Sequence, residues 1–267
     1  MTLTTRAFGG ALVMHMRLYM FRQSRIITGL AMPVVIAAIA VLVLRHDAAS
    51  PEKYFRVMIG SGMAGMWGAV LGTAMLTLRR EREWYGTLPL LIATPARLEA
   101  IFGGYLLAEA LAGFLAVVMS LSAGVLLLGS PVQVTSPATL LVSLPLAALA
   151  IAAVALPIMP LVLQAPLLTR WINGMDYPVW ILAGFLFPIS ILPGWTTPLS
   201  YALPAYWASE ALQQVTVPPG GAVGTWERAA PLWLATAVLC AVYVCGALLV
   251  QRLVVRRLHR TGILIAE

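Results

Sequence analysis

"RVMIGSGMAGMWGAVLGTAMLTLRRERE", residues Arg56 to Glu83, holds an uncharged run from Val57 to Leu78 and then five charges in a row, Arg79 to Glu83. Coiled as an α-helix at about 1.5 Å per residue, the uncharged run is long enough to cross the roughly 30 Å of hydrocarbon in a bilayer. The charges behind it belong in water. The rest of the chain has the same character: 61% of its residues are hydrophobic, 10% are charged and the mean hydropathy is +0.91. Soluble domains are roughly 45–50% apolar. Composition therefore gives an all-α, polytopic membrane protein and excludes a large soluble domain.

Six spans are expected, at 26–44, 57–78, 100–128, 139–168, 177–191 and 231–250, in a single transmembrane domain covering residues 1–267. The fourth carries Pro145, Pro157, Pro160 and Pro166 and is expected to kink, because an interior proline removes a backbone hydrogen bond. Ahead of the first span, Phe8, Leu12, Met16 and Tyr19 recur at helical spacing, with Arg17, Arg22 and Arg25 elsewhere on the wheel. That pattern gives a helix over about 4–22 lying in the membrane interface. A cleaved signal peptide is the competing reading, and no A-x-A site supports it. Six spans put both termini on one side. With that side cytoplasmic, 13 of the 17 basic residues lie inside and four, Arg45, Lys53, Arg56 and Arg228, lie outside, as the preference of Lys and Arg for cytoplasmic loops requires. The net charge of +7 then needs no nucleic-acid partner; anionic lipid headgroups account for it.

Between the second and third spans the chain is closely punctuated. Gly86 permits a turn, Thr87 is placed to cap a short helix, and Pro89 falls in the first helical turn, where a missing N–H costs little. Trp84, Leu88, Leu91 and Ile92 share one face, and Thr94 with Pro95 is placed to open the third span. The expectation is a rigid, charged, amphipathic knob over residues 79–95, with an interfacial helix on lipid as the alternative. On the other side of the membrane, "ILPGWTTPLSYALPAYWASEALQQV", Ile191 to Val215, is too apolar for water and too broken by proline to span. One or two short helices dipping back into the outer leaflet over 192–215 satisfy both facts. Trp195, Tyr201, Tyr206 and Trp207 suit the headgroup level.

Two features within the spans stand out. Gly60, Ala64, Gly68 and Gly72 form a stripe of small side chains that admits a close neighbour: another helix of this chain, a second subunit or a pathway wall. Glu109 is the one ionisable residue deep inside a span, so it either lines a path or pairs with a neighbouring hydroxyl or indole. Enzyme chemistry is not visible. His15, His46 and His259 lie at or beyond span ends, there is no H-E-x-x-H or G-x-S-x-G, and no metal site is expected. The single lysine, Lys53, is not in a Walker A loop. Cys240 and Cys245 are five residues apart in the last span and read as buried thiols.

These features together resemble the membrane subunits, or permeases, of type-2 ATP-binding-cassette (ABC) transporters, most of which are exporters. The likeness covers the whole chain and rests on "REREWYGTLPLLIATP" and "GFLFPISILPGWTTPLSYALPAYWASEAL". It implies that Glu81, Glu83, Gly86, Thr87, Leu88, Leu91, Thr94 and Pro95 form a coupling helix that contacts an ATPase subunit, and that Pro188, Pro193, Pro204 and Glu210 belong to re-entrant outer helices. Pro89 and Tyr105 depart from the usual pattern. The resemblance further implies two ATPase copies carrying ATP and Mg, no cofactor on this chain, and a second permease chain, identical or related. Glu109, Gly60, Gly68 and Gly72 are then candidates for the translocation path. The expected cargo is hydrophobic or amphiphilic, drug-like or lipid-like, with polysaccharide or glycolipid export, or a stand-alone scramblase or assembly factor, as alternatives. Sixteen arginines to one lysine, with abundant Ala, Gly and Pro, suggest a GC-rich bacterial genome and hence a bacterial inner membrane.

Overall fold

A computed structural model describes residues 3–19, 23–46, 51–87, 90, 91, 94, 97–128, 136–164, 171, 174, 176–214 and 225–261. Among the described residues the regular structure is helical throughout. The long helices are α1 (Leu3–Tyr19), α2 (Gln23–His46), α3 (Pro51–Arg79), α4 (Leu98–Leu128), α5 (Pro137–Gln164) and α9 (Thr225–Thr261); the short ones are α6 (Asp176–Leu182), α7 (Thr197–Ala202) and α8 (Pro204–Gln213).

Four helical stretches among the described residues have the length and apolarity to cross a membrane: Lys53–Arg82, Leu98–Leu127, Pro137–Val162 and Trp226–Val254. In the 24-residue α2, a shorter apolar stretch, Ala31–Val43, is described. The span expected at 177–191 does not end where the sequence suggests. Its helix stops at Leu182, and Gly184, at φ +65°, turns the chain away. The expected fourth span runs as one helix through Pro145, Pro157 and Pro160. It is opened by Ser136, whose Oγ accepts the Thr139 N–H at 3.4 Å while Pro137 takes the first helical position.

At the centre α3 and α4 run antiparallel, and the contact depends on residues too small to hold them apart. A Cβ on Gly62 would stand 2.6 Å from the Val117 Cα, and one on Gly113 would stand 2.4 Å from Met66 Cγ. Ser61 and Ser120 both donate to the Met58 carbonyl, at 2.9 and 2.6 Å, pairing polar groups that hydrocarbon would leave unsatisfied. Around this pair pack α1 and α2 on one side and α5 on the other, with α9 against α5 through the Trp233 indole, which donates to Ser143 Oγ at 2.8 Å. The most apolar stretch of α3 is 75% buried and that of α9 only 11%, so α3 is the core of the bundle and α9 its outer wall. Cys245, expected to be buried, is exposed on that wall.

Candidate functional site

Past Arg79 the α3 backbone widens into a π turn, Arg80–Trp84, with the Tyr85 N–H donating to the Arg80 carbonyl at 2.8 Å. Gly86 follows at φ +61°, a conformation that costs an ordinary L-residue roughly 1–2 kcal/mol. The reversal brings Thr87 back onto the π turn, where its hydroxyl donates to the Glu81 carboxylate. The Thr87 carbonyl accepts the Leu91 N–H at 3.0 Å and so starts a new helical turn. Glu81 is only 7% exposed, so this member of the charged run supports the turn from within instead of standing in water.

Thr94 was placed by sequence as the cap of the third span; its actual role is to close the turn before it. Its N–H and hydroxyl both donate to the Leu91 carbonyl, at 3.3 and 2.7 Å. The reason is the start of α4, which lies further on: Arg97 supplies the first carbonyl, accepting from Ala100 at 3.0 Å. Leu91 is half-buried against the core. Leu88 and Pro95 fall outside the described residues, as does the side chain of Glu83. Two further side chains, Tyr85 and Leu90, are 51% and 67% exposed. Sequence reasoning passed over them because they lie off the apolar face it drew; that offset was itself the signal for a second, outward face.

Glu109 is wholly buried, and its Oε1 is hydrogen-bonded to Nε2 of His15, itself 1% exposed. The His15 ring lies on Tyr105, with centroids 4.9 Å apart. His15 is thus a partner of this carboxylate, and α1 does not lie alone on a membrane surface but packs along α4 in the same direction. Phe8 meets Gly103 and Gly104, and His15 meets Tyr105 and Glu109. A Cβ on Gly104 would come within 2.6 Å of the Phe8 carbonyl, so a glycine lets the two backbones touch.

The small-residue stripe divides. A Cβ on Gly60 would stand 1.7 Å from the Phe185 carbonyl oxygen, whereas Gly68 and Gly72 have open space where theirs would be. Gly60 is therefore a packing residue for the segment that follows α6. Sequence reading also missed Asp176, which accepts the Trp67 indole N–H at 3.0 Å and ties α6 to α3. Its position just before an apolar helix was the available clue.

At the opposite end from the 80–94 turn, α7 and α8 form two short helices preceded by the 3₁₀ turns Ile189–Ile191 and Gly194–Thr196. α8 packs inward with Ala205, Ala208, Ala211 and Leu212, and Glu210 reaches Arg56 of α3 at 3.5 Å. Tyr201, Tyr206 and Trp207 stack with centroids 5.2–5.5 Å apart. Burial pushes the Tyr206 phenol up to about 12, with Glu210 and Tyr201 acting in the same sense and Arg56 against them; it stays a neutral member of that stack.

A docked first helix, a stapled turn between two antiparallel helices and a broken helical segment near the far end lie, in that order, in a chain that a family model matches. The model for the ABC-2 type transporter matches residues 10–217. The chain belongs to the ABC-2 type transporter family. It is accordingly an ABC transporter permease, a membrane subunit without an ATPase site of its own. Comparison with curated proteins returns no match. The match takes in both segments of this permease singled out above, 80–94 and 184–214, and ends before α9.

Proposed function

We propose that this permease is the membrane part of a bacterial inner-membrane exporter that moves a hydrophobic or amphiphilic molecule, driven by ATP and Mg bound on two copies of a separate ATPase. The 80–94 turn, facing the cytoplasm together with both termini, transmits the ATPase motion to α3 and α4, which flank it. The observation that carries the reading is that this turn is held by Thr87 and Glu81 while it presents Tyr85 and Leu90 to the outside. Apolar side chains on a stapled, protruding turn suit a protein groove. Glu83 and Gly86 belong to the same contact, Gly86 by setting the reversal.

A second permease chain completes the path, and Gly68 and Gly72, open where a Cβ would stand, suit a surface between the two chains. At the outer end Ile191, Trp195, Leu199 and Tyr201 are exposed while the alanines of α8 are buried. This supports helices that re-enter the outer leaflet, apolar outward towards lipid and small inward towards protein.

Copurification tests the central claim. Co-expressed with its cognate ATPase, the wild-type permease should bring the ATPase down with it, and Leu90→Asp should lower the yield about tenfold, the loss of roughly 1.4 kcal/mol at a buried apolar contact. Its own melting temperature in detergent should not change. Undiminished ATPase recovery with Leu90→Asp would remove the turn from the interface.

A further inference from the structure

Thr4, Thr5 and Phe8 of α1, the first turns of α4, and the facing sides of α5 and α9 line an open cleft of about 550 Å³. That volume lies within the roughly 300–1,000 Å³ typical of small-molecule sites. The cleft has a direction. Arg97, Glu99 and the two threonines stand at one end, and beyond them the walls are apolar: Leu106 and Leu107 of α4, Leu149 and Leu156 of α5, Val244 and Leu248 of α9. From Arg97 to Leu107 the α4 axis rises about 15 Å at 1.5 Å per residue. One end therefore solvates charge and the other excludes water.

The polar end carries both signs within two residues, and neither Arg97 nor Glu99 forms an ion pair among the described residues. α1 and α4 also both begin there, adding the positive ends of two helix dipoles to Arg97. A singly charged headgroup would meet a like charge whichever sign it had; one with an anion and an amine close together satisfies both. The slot also has a fixed wall, because the His15–Glu109 contact further along holds α1 against α4.

We propose that this cleft binds one zwitterionic amphiphile, its phosphate-type anion at Arg97, its amine at Glu99 and its tail between α4, α5 and α9. Such a molecule is either a resident membrane lipid or the transported cargo. Binding itself needs no ATPase and stands apart from the transport reading.

Lysophosphatidylethanolamine with a diazirine in its tail, added to the full chain in dodecyl maltoside, should photolabel residues lining α4, α5 and α9. Unlabelled lysophosphatidylethanolamine should compete, and lysophosphatidylglycerol should not. Arg97→Gln and Glu99→Gln, at the polar end of the cleft, should each lower cleft labelling about tenfold, the loss of one charged hydrogen-bond partner. Leu107→Trp should block it by filling the slot; should that variant not fold, Ala152→Leu fills the same space from α5. Equal competition by lysophosphatidylglycerol, even labelling along all the helices, or full labelling of the filled variant would overturn the proposal. In proteoliposomes with the ATPase, stimulation of ATP hydrolysis by the zwitterionic lipid that disappears in the filled variant identifies cargo. Selective labelling without stimulation identifies a resident lipid when the permease still recruits the ATPase, and a permease that recruits none overturns the transport reading while the labelling result stands.

Discussion

Glu109 and Glu81 each fasten a neighbouring piece of chain to the central helices, one in the interior of the bundle and one at its edge. Glu109 and its partner His15 are almost completely hidden, with Tyr105 against the imidazole and a glycine crossing alongside. Glu81 is hidden too, but Thr87 is half-buried and the turn it holds leaves Tyr85 and Leu90 in the open. The same kind of polar contact thus has two uses. Where both partners are buried it makes α1 part of the core; where one stands at the surface it fixes the shape of something meant to be touched.

Removing the buried carboxylate should have the largest effect. Glu109→Leu removes one member of a buried pair and should destabilise the protein by about 3–5 kcal/mol, read as a lower melting temperature in detergent. Glu109→Gln keeps a hydrogen-bonding group of nearly the same shape and should cost only about 1 kcal/mol. Near-equal melting of the leucine variant and wild type would break the distinction between the two carboxylates.

Gly104→Ala comes next. Its new Cβ meets the Phe8 carbonyl, Ala11 and Leu12 at 2.6–3.0 Å, and forcing the helices apart should cost about 1–3 kcal/mol. A cysteine introduced at position 12, half-buried beside Gly104, in a cysteine-free background reports the separation: it should be alkylated faster with Gly104→Ala than without it. Thr87→Val should have the smallest effect on stability, about 1 kcal/mol, yet should reduce ATPase stimulation because the turn is no longer stapled. If Thr87→Val instead destabilised the protein as much as Glu109→Leu, the turn would be core, not a presented surface.

Much of this arrangement was legible in the sequence wherever the cause is local. The end of α3 at Arg79 and the extent of α4, Leu98–Leu128 against an expected 100–128, follow apolar length, whereas α3 begins at Pro51, six residues before the expected 57, and carries Glu52, Lys53 and Arg56 in its first turns. Gly86 and Thr87 announce a reversal and a new helical turn by chemistry contained in a few residues. The end of α6 was less legible, since an apolar run through Phe187 looks helical until the chain turns at Gly184 to pack Phe185 on Gly60.

The sequence by itself determined an all-α membrane protein with a punctuated turn between two long helices, because hydrocarbon demands that each span satisfy its own backbone hydrogen bonds over a fixed length. Only the tertiary structure decided that His15 meets Glu109 across 94 residues, that Trp67 meets Asp176 across 109, and that α1 closes one wall of a cleft with α4, α5 and α9. Those meetings depend on which face of each helix turns towards which neighbour and at what height. Small residues such as Gly62, Gly104 and Gly113 set that register by allowing close approach, and nothing in the order of residues along one helix says which other helix will make it.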